Sequence, residues 1–163
     1  QWCIRGSFTG GEEVGLCGAG AVSSEFLESF QSAFVVDRRG RGDIVTGTYG
    51  IDFCYELFGA MLALIGNLGE EKRWEPTLGG SSDTRIWAQQ GIQSVNLSVG
   101  YQYEHTSREE LNLDYAFATA NLLKKVFLHI NLLKSALRGI RRATQNKDEV
   151  LRRTQRKEVR AAV

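Results

Sequence analysis

The chain has 163 residues, 42% of them hydrophobic and 24% charged, with a net charge of +1. These values sit at soluble globular averages, and the longest apolar run, Phe58–Ile65, falls far short of the roughly 18 residues a spanning helix needs. Neither disorder nor membrane insertion is indicated, and one domain with a real core fits the length.

Charge is unevenly spread. Residues 1–133 hold 10 Lys/Arg against 16 Asp/Glu, whereas residues 134–163 hold 10 against 3. An acidic body therefore carries a basic tail. The three cysteines, Cys3, Cys17 and Cys54, have no paired spacing; they read as reduced, mostly buried thiols in a cytoplasmic protein, not as a disulfide framework.

The chain begins at Gln1, with Trp2 and Ile4 alternating ahead of Phe8, the pattern of a strand already under way. This reads as the later part of a longer protein. The predicted strand 2–8 feeds a glycine-rich turn, residues 9–20, holding adjacent carboxylates at Glu12 and Glu13. Two like charges at ~4 Å and an effective dielectric of ~20 cost ~4 kcal/mol. Bulk water or a metal ion must offset that. In a metal site one acid binds the ion while the other moves a proton.

Phe26, Leu27 and Phe30 have helical spacing within residues 15–31. Ser32–Asp37 is a short apolar run closing on an acid, the pattern of a buried parallel strand that delivers a side chain from its carboxyl end. A charged turn, Arg38–Gly42, leads to a second strand, Asp43–Tyr49. The spacing predicts a helix from an Asp52 N-cap to Ile65, a loop over Gly69–Gly80 with the only proline, Pro76, and a short helix over Ser81–Gln90. Val95, Leu97 and Val99 alternate in a strand over Ser94–Gly100, and a loop, Tyr101–Ser107, holds His105. A long helix starts near Asp114, with His129 inside it and apolar residues from Tyr115 to Leu137 at three-or-four spacing. Strands alternating with helices predict an α/β fold, a three-layer sandwich with a mainly parallel central sheet flanked by helices and incomplete at the N-terminus, plus a C-terminal helical extension. Residues 1–133 form the body and 134–163 the tail.

Glu12-Glu13, Asp37 and His105 all fall where strands end, and carboxylate plus imidazole suits zinc or a similar ion. Phe8–Ala19, Val35–Val45, Gly79–Val95 and Asn96–Leu113 resemble, in order, the Glu-Glu motif, the later acidic-ligand strand, the glycine/Ser-Asp loop and the terminal His-Thr block of the di-zinc exopeptidase superfamily, the bacterial leucyl-aminopeptidase-like enzymes. The resemblance covers residues 2–127 and implies a zinc-dependent exopeptidase acting on peptides. It makes Glu12 the general base and acid, Glu13 and His105 ligands of one metal, and Asp37 a ligand of the other. Asp83 is implied to face substrate or a ligand, and Tyr101 and Tyr103 lie beside His105. The family's first ligating His and its bridging Asp precede the Glu-Glu motif, so these 163 residues alone are expected to bind metal weakly and to be inactive. About 40 residues separate Asp37 from Gly79, which resembles the lid-free branch. An amidase or deacylase stays open.

The glycines at 15, 18 and 20 lack the dinucleotide spacing and a Walker lysine. The basic tail reads either as a solvated helix or as a contact for an acidic partner, and its lack of aromatics weighs against base stacking with nucleic acid. The competing reading of the whole chain is therefore a non-catalytic interaction module recruiting such a partner through the tail.

Overall fold

The computed structural model describes residues 3–10, 15–69, 73–80 and 82–161, with side chains at all of these except 150, 153 and 156–161. Residues 3–10 run without regular structure, where a strand was expected, and lead to two short helices, α1 (Cys17–Gly20) and α2 (Ser24–Leu27). Ser23 caps α2 by accepting a hydrogen bond from the Phe26 N–H. Strands β1 (Ser32–Arg39) and β2 (Asp43–Thr48) follow, joined by the expected turn, and β3 (Ile51–Asp52) folds back on β2. Asp52 is therefore a strand residue. The N-cap of α3 (Glu56–Gly66) is Tyr55, which makes no side-chain cap bond.

The stretch expected to be a loop around Pro76 contains β4 (Glu75–Leu78), which pairs with β2. Pro76 is tolerated because β4 has a single described partner strand, so its missing N–H breaks no ladder. After α4 (Asp83–Gln89), strand β5 (Gln93–Gln102) is the centre of the sheet, and β6 (Glu110–Leu111) pairs with its end. The long helix is two, α5 (Leu113–Leu128) and α6 (Ile130–Ala161), with His129 at the α5 C-cap between them.

The six strands form one mixed sheet, ordered β1-β5-β2-β3 with β4 on β2 and β6 on β5. β1–β5 and β2–β4 are parallel, while β2–β3, β2–β5 and β5–β6 are antiparallel. The mainly parallel sheet expected from the strand–helix alternation is thus not what forms. The physical reason is the turn between β1 and β2: three residues, 40–42, cannot carry a crossover, so β2 must run back against β1 and against its parallel partner β5.

Side chains alternate across the sheet. On β1, Phe34 joins a cluster with Phe58, Leu62, Ile65, Val95, Leu97, Leu122, Val126, Leu133, Leu137 and Ile140. Its neighbours Ala33 and Val35 join a smaller cluster with Ala19, Leu27, Trp87 and Ile92. Phe58 and Leu62 are fully buried, each worth about 1.5–3 kcal/mol of transfer free energy. Gly59 lets α3 sit close on the sheet, since a Cβ there would lie 2.5 Å from the Thr46 methyl. The first half of α6 belongs to this core through Leu133, Leu137 and Ile140, whereas every described side chain from Gln145 onward is exposed. Among the described residues no helix is long and apolar enough to cross a membrane. Of the three cysteines only Cys54 is buried; Cys3 and Cys17 are exposed, contrary to the expectation of mostly buried thiols.

Candidate functional site

The parallel pairing of β1 with β5 brings two of the predicted residues to one end of the sheet. Asp37 lies two residues before the end of β1, and His105 three residues past the end of β5. The strand ends are tied by the Gly40 N–H donating to the Tyr101 carbonyl at 3.0 Å and by Arg39 facing Glu104 at 3.6 Å. That ion pair is largely solvated and contributes at most about 1 kcal/mol, so it locates the ends more than it holds them.

Asp37 is a bulge residue. Val36 pairs with Leu97 and Arg38 with Ser98, leaving Asp37 as the extra residue on β1. Its N–H, displaced from the ladder, donates to Asn96 Oδ1 at 3.1 Å. Bulges re-aim side chains at sheet ends, and this one sets an exposed carboxylate at the rim. Asn96 is itself buried, a polar residue amid the apolar alternation of β5. That interruption was the readable signal for its role, and the sequence reading passed over it.

The loop after β5 is backbone-strained. Tyr103 (φ 54°) and His105 (φ 65°) both adopt the left-handed conformation, which side chains other than glycine enter at a cost. Local hydrogen bonds sustain it: the Thr106 hydroxyl donates to the Tyr103 carbonyl, the His105 N–H to Glu109 Oε2 at 3.1 Å, and the Arg108 N–H to the Thr106 hydroxyl. Arg108 also lies 5.6 Å over the Tyr103 ring. His105 and Tyr103 are exposed, while Tyr101 is half-buried in β5.

Asp83 stands in the first turn of α4, 5% exposed. The Thr9 hydroxyl donates to its Oδ2. This bond fastens the segment that leads into the paired glutamates onto α4. Asp83 Oδ1 and Arg85 Nε are buried with no hydrogen-bond partner among the described residues. Glu12 and Glu13 themselves lie outside the described residues.

Asp37 and His105 are donors of the right kind for zinc, but a closed zinc shell takes four ligands. Among the described residues no group of three or more His, Cys, Asp or Glu is placed to hold a metal ion. The described residues do not make a metal site by themselves.

The fold is shared with a known hydrolase. Aminopeptidase PepT from Bacillus cereus ATCC 10987 superposes with a TM-score of 0.55 at 16% identity, over 72% of this chain and 62% of that one. The uncharacterized protein YqjE of Bacillus subtilis (strain 168) is 40% identical over 47 residues, which is 29% of this chain and 13% of YqjE. No family model matches. The chain thus spans less than two thirds of the aminopeptidase and a small part of YqjE.

Proposed function

We propose that this chain is part of a zinc-dependent exopeptidase of the aminopeptidase type, cutting peptide substrates. The observation that carries the reading is the delivery of Asp37 and His105 to one end of a parallel strand pair, in a fold shared with an aminopeptidase. In this reading Glu13 and His105 are donors to one divalent cation and Asp37 to a second. Glu12 is the proton carrier, and Asp83, Tyr101 and Tyr103 face the substrate or support the donors. Thr9 fixes the approach to Glu12 and Glu13 by holding Asp83. In the same reading the remaining donors come from outside these residues, residues 1–133 belong to a catalytic domain, and the basic extension, 134–163, is rooted in its core through Leu137 and Ile140. Two hydrophobic clusters that take alternate β1 side chains support a three-layer sandwich, completed from outside these residues. A cytoplasmic setting is part of the same proposal.

The test uses the full-length protein. Zinc-dependent release of a chromogenic amine from an aminoacyl substrate is expected, with Glu12→Gln abolishing turnover while zinc binding persists by calorimetry. Asp37→Ala and His105→Ala are each expected to weaken zinc binding, since removing a ligand from a shell costs affinity directly. Retained turnover in Glu12→Gln removes that residue from the role. Zinc affinity unchanged in both ligand variants overturns the metal assignment.

A further inference from the structure

A cleft of about 230 Å³ opens between the start of β2, the end of α3 and the flank of α5. Among the described residues three cations line it, Arg41, Arg73 and Lys125, against one acid, Asp114; Phe117 is exposed there, while Trp74 and Leu122 are buried beneath it. The chain builds this shape by close backbone contact. Gly42 (φ 83°) lies so near the irregular segment leading into β4 that a Cβ would fall 1.9 Å from the Arg73 carbonyl oxygen. Glu75 N–H donates to the Gly42 carbonyl at 2.9 Å, so Arg41 and Arg73 are carried on adjacent backbone segments.

The three cations are differently committed. Lys125 Nζ donates to the Gly66 and Leu68 carbonyls at 3.2 and 3.1 Å, neutralising the C-terminus of α3. Arg41 lies 5.4 Å over the Tyr115 ring, which orients its guanidinium without neutralising it. Among the described residues neither Arg41 nor Arg73 pairs with a carboxylate, whereas Arg38 pairs with Asp43 and Arg39 with Glu104. Two guanidinium groups that pair with no carboxylate among the described residues thus share a concave site with the exposed Phe117. Guanidinium forks match the oxygen pairs of carboxylates and phosphates.

We infer that the Arg41–Arg73 cleft binds a small oxyanion, the carboxylate or phosphate of an organic ligand whose apolar part lies on Phe117, the exposed apolar side chain of its lining. The site stands apart from the hydrolase reading and needs no metal. Because β2 begins at the end of the sheet where β1 finishes, the cleft lies toward the same end of the sheet as Asp37.

Titrations of the protein with inorganic phosphate and, separately, with glutarate test this through the amide resonances of Gly42, Arg73, Phe117 and Lys125. Saturable shifts at these positions with at least one anion are expected, and the tighter of the two names the ligand class. Arg41→Gln with Arg73→Gln is expected to weaken binding by about tenfold or more. Asp114→Asn, which removes an acid from the cleft lining, is expected to tighten it by about threefold. Arg142→Gln, on the exposed part of α6, is expected to change nothing. A fold defect in the double variant leaves Asp114→Asn as the deciding measurement. Absence of saturable shifts with both anions, or an affinity unmoved by Asp114→Asn, overturns the inference.

Discussion

The hydrogen bond from Thr9 to Asp83 is the best place to test how the irregular N-terminal segment is held. Asp83 is 5% exposed, accepts from the Thr9 hydroxyl at Oδ2, and has no partner at Oδ1 among the described residues. Thr9→Val removes the donor and nearly preserves the shape, leaving a buried charge without a described donor. Hydrogen bonds to charged groups contribute about 1.5–3 kcal/mol, and an orphaned buried acceptor costs a similar amount, so a loss of about 2–3 kcal/mol is expected. With a urea m-value of about 1–3 kcal/mol/M, that moves the unfolding midpoint by roughly 0.7–3 M. The decisive assay is a double-mutant cycle with Asp83→Ala, followed by tryptophan fluorescence. In the Asp83→Ala background Thr9→Val should cost no more than about 0.5 kcal/mol, because the acceptor is gone. Asp83→Asn should give an intermediate coupling of about 1 kcal/mol, since the acceptor is then neutral. An equal cost of Thr9→Val in all three backgrounds would refute the reasoning.

Four further outcomes follow from the structure. Burial, aided by Asp52 and opposed by the Gly59 N–H, pushes the Cys54 thiol up to about 12 from an ordinary 9.0. The native state therefore holds a proton that the unfolded chain has released, and stability falls as pH rises from about 9 toward 12; Cys54→Ala should lessen that fall in urea midpoints. Gly42→Ala, at φ 83° and facing the Arg73 carbonyl, should cost roughly 2–4 kcal/mol as a lowered melting temperature. Asn96→Ala frees the Asp37 N–H at the bulge and should cost about 1 kcal/mol, with hydrogen exchange at Asp37 accelerated. Ending the chain after Thr144 should leave the unfolding free energy from urea titration within about 0.5 kcal/mol, because every described side chain beyond it is exposed.

Much of the layout was legible from side-chain spacing. β1, β2, β5, α4 and α5 fall close to where alternation and helical spacing place them, because each buries one face against a shared core. β3, β4 and β6 were not legible, being only two to four residues long and carrying no alternation to detect. The antiparallel course of β2 was readable and missed: the shortness of the turn at 40–42 outweighs the prior that alternating strands and helices give a parallel sheet. The break at His129 interrupts an apolar spacing that runs on unchanged from Leu122 to Leu137, so periodicity gave no sign of it. At the candidate site, strand ends showed where Asp37 and His105 would lie. The bulge and the left-handed loop that aim them depend on partners distant in sequence or on local hydrogen bonds that spacing does not encode.

The position of β5 has a consequence for how the molecule is made. It slots between β1 and β2, although both are synthesised about 50 residues earlier. Until that late segment leaves the ribosome, β1 and β2 lack the backbone partner that β5 supplies to each. At roughly 5–20 residues per second the wait lasts several seconds, the interval in which stray pairing with a neighbouring nascent chain competes with correct insertion. The yield of soluble product should therefore depend more on translation speed and chaperone supply than on the stability of the finished sheet.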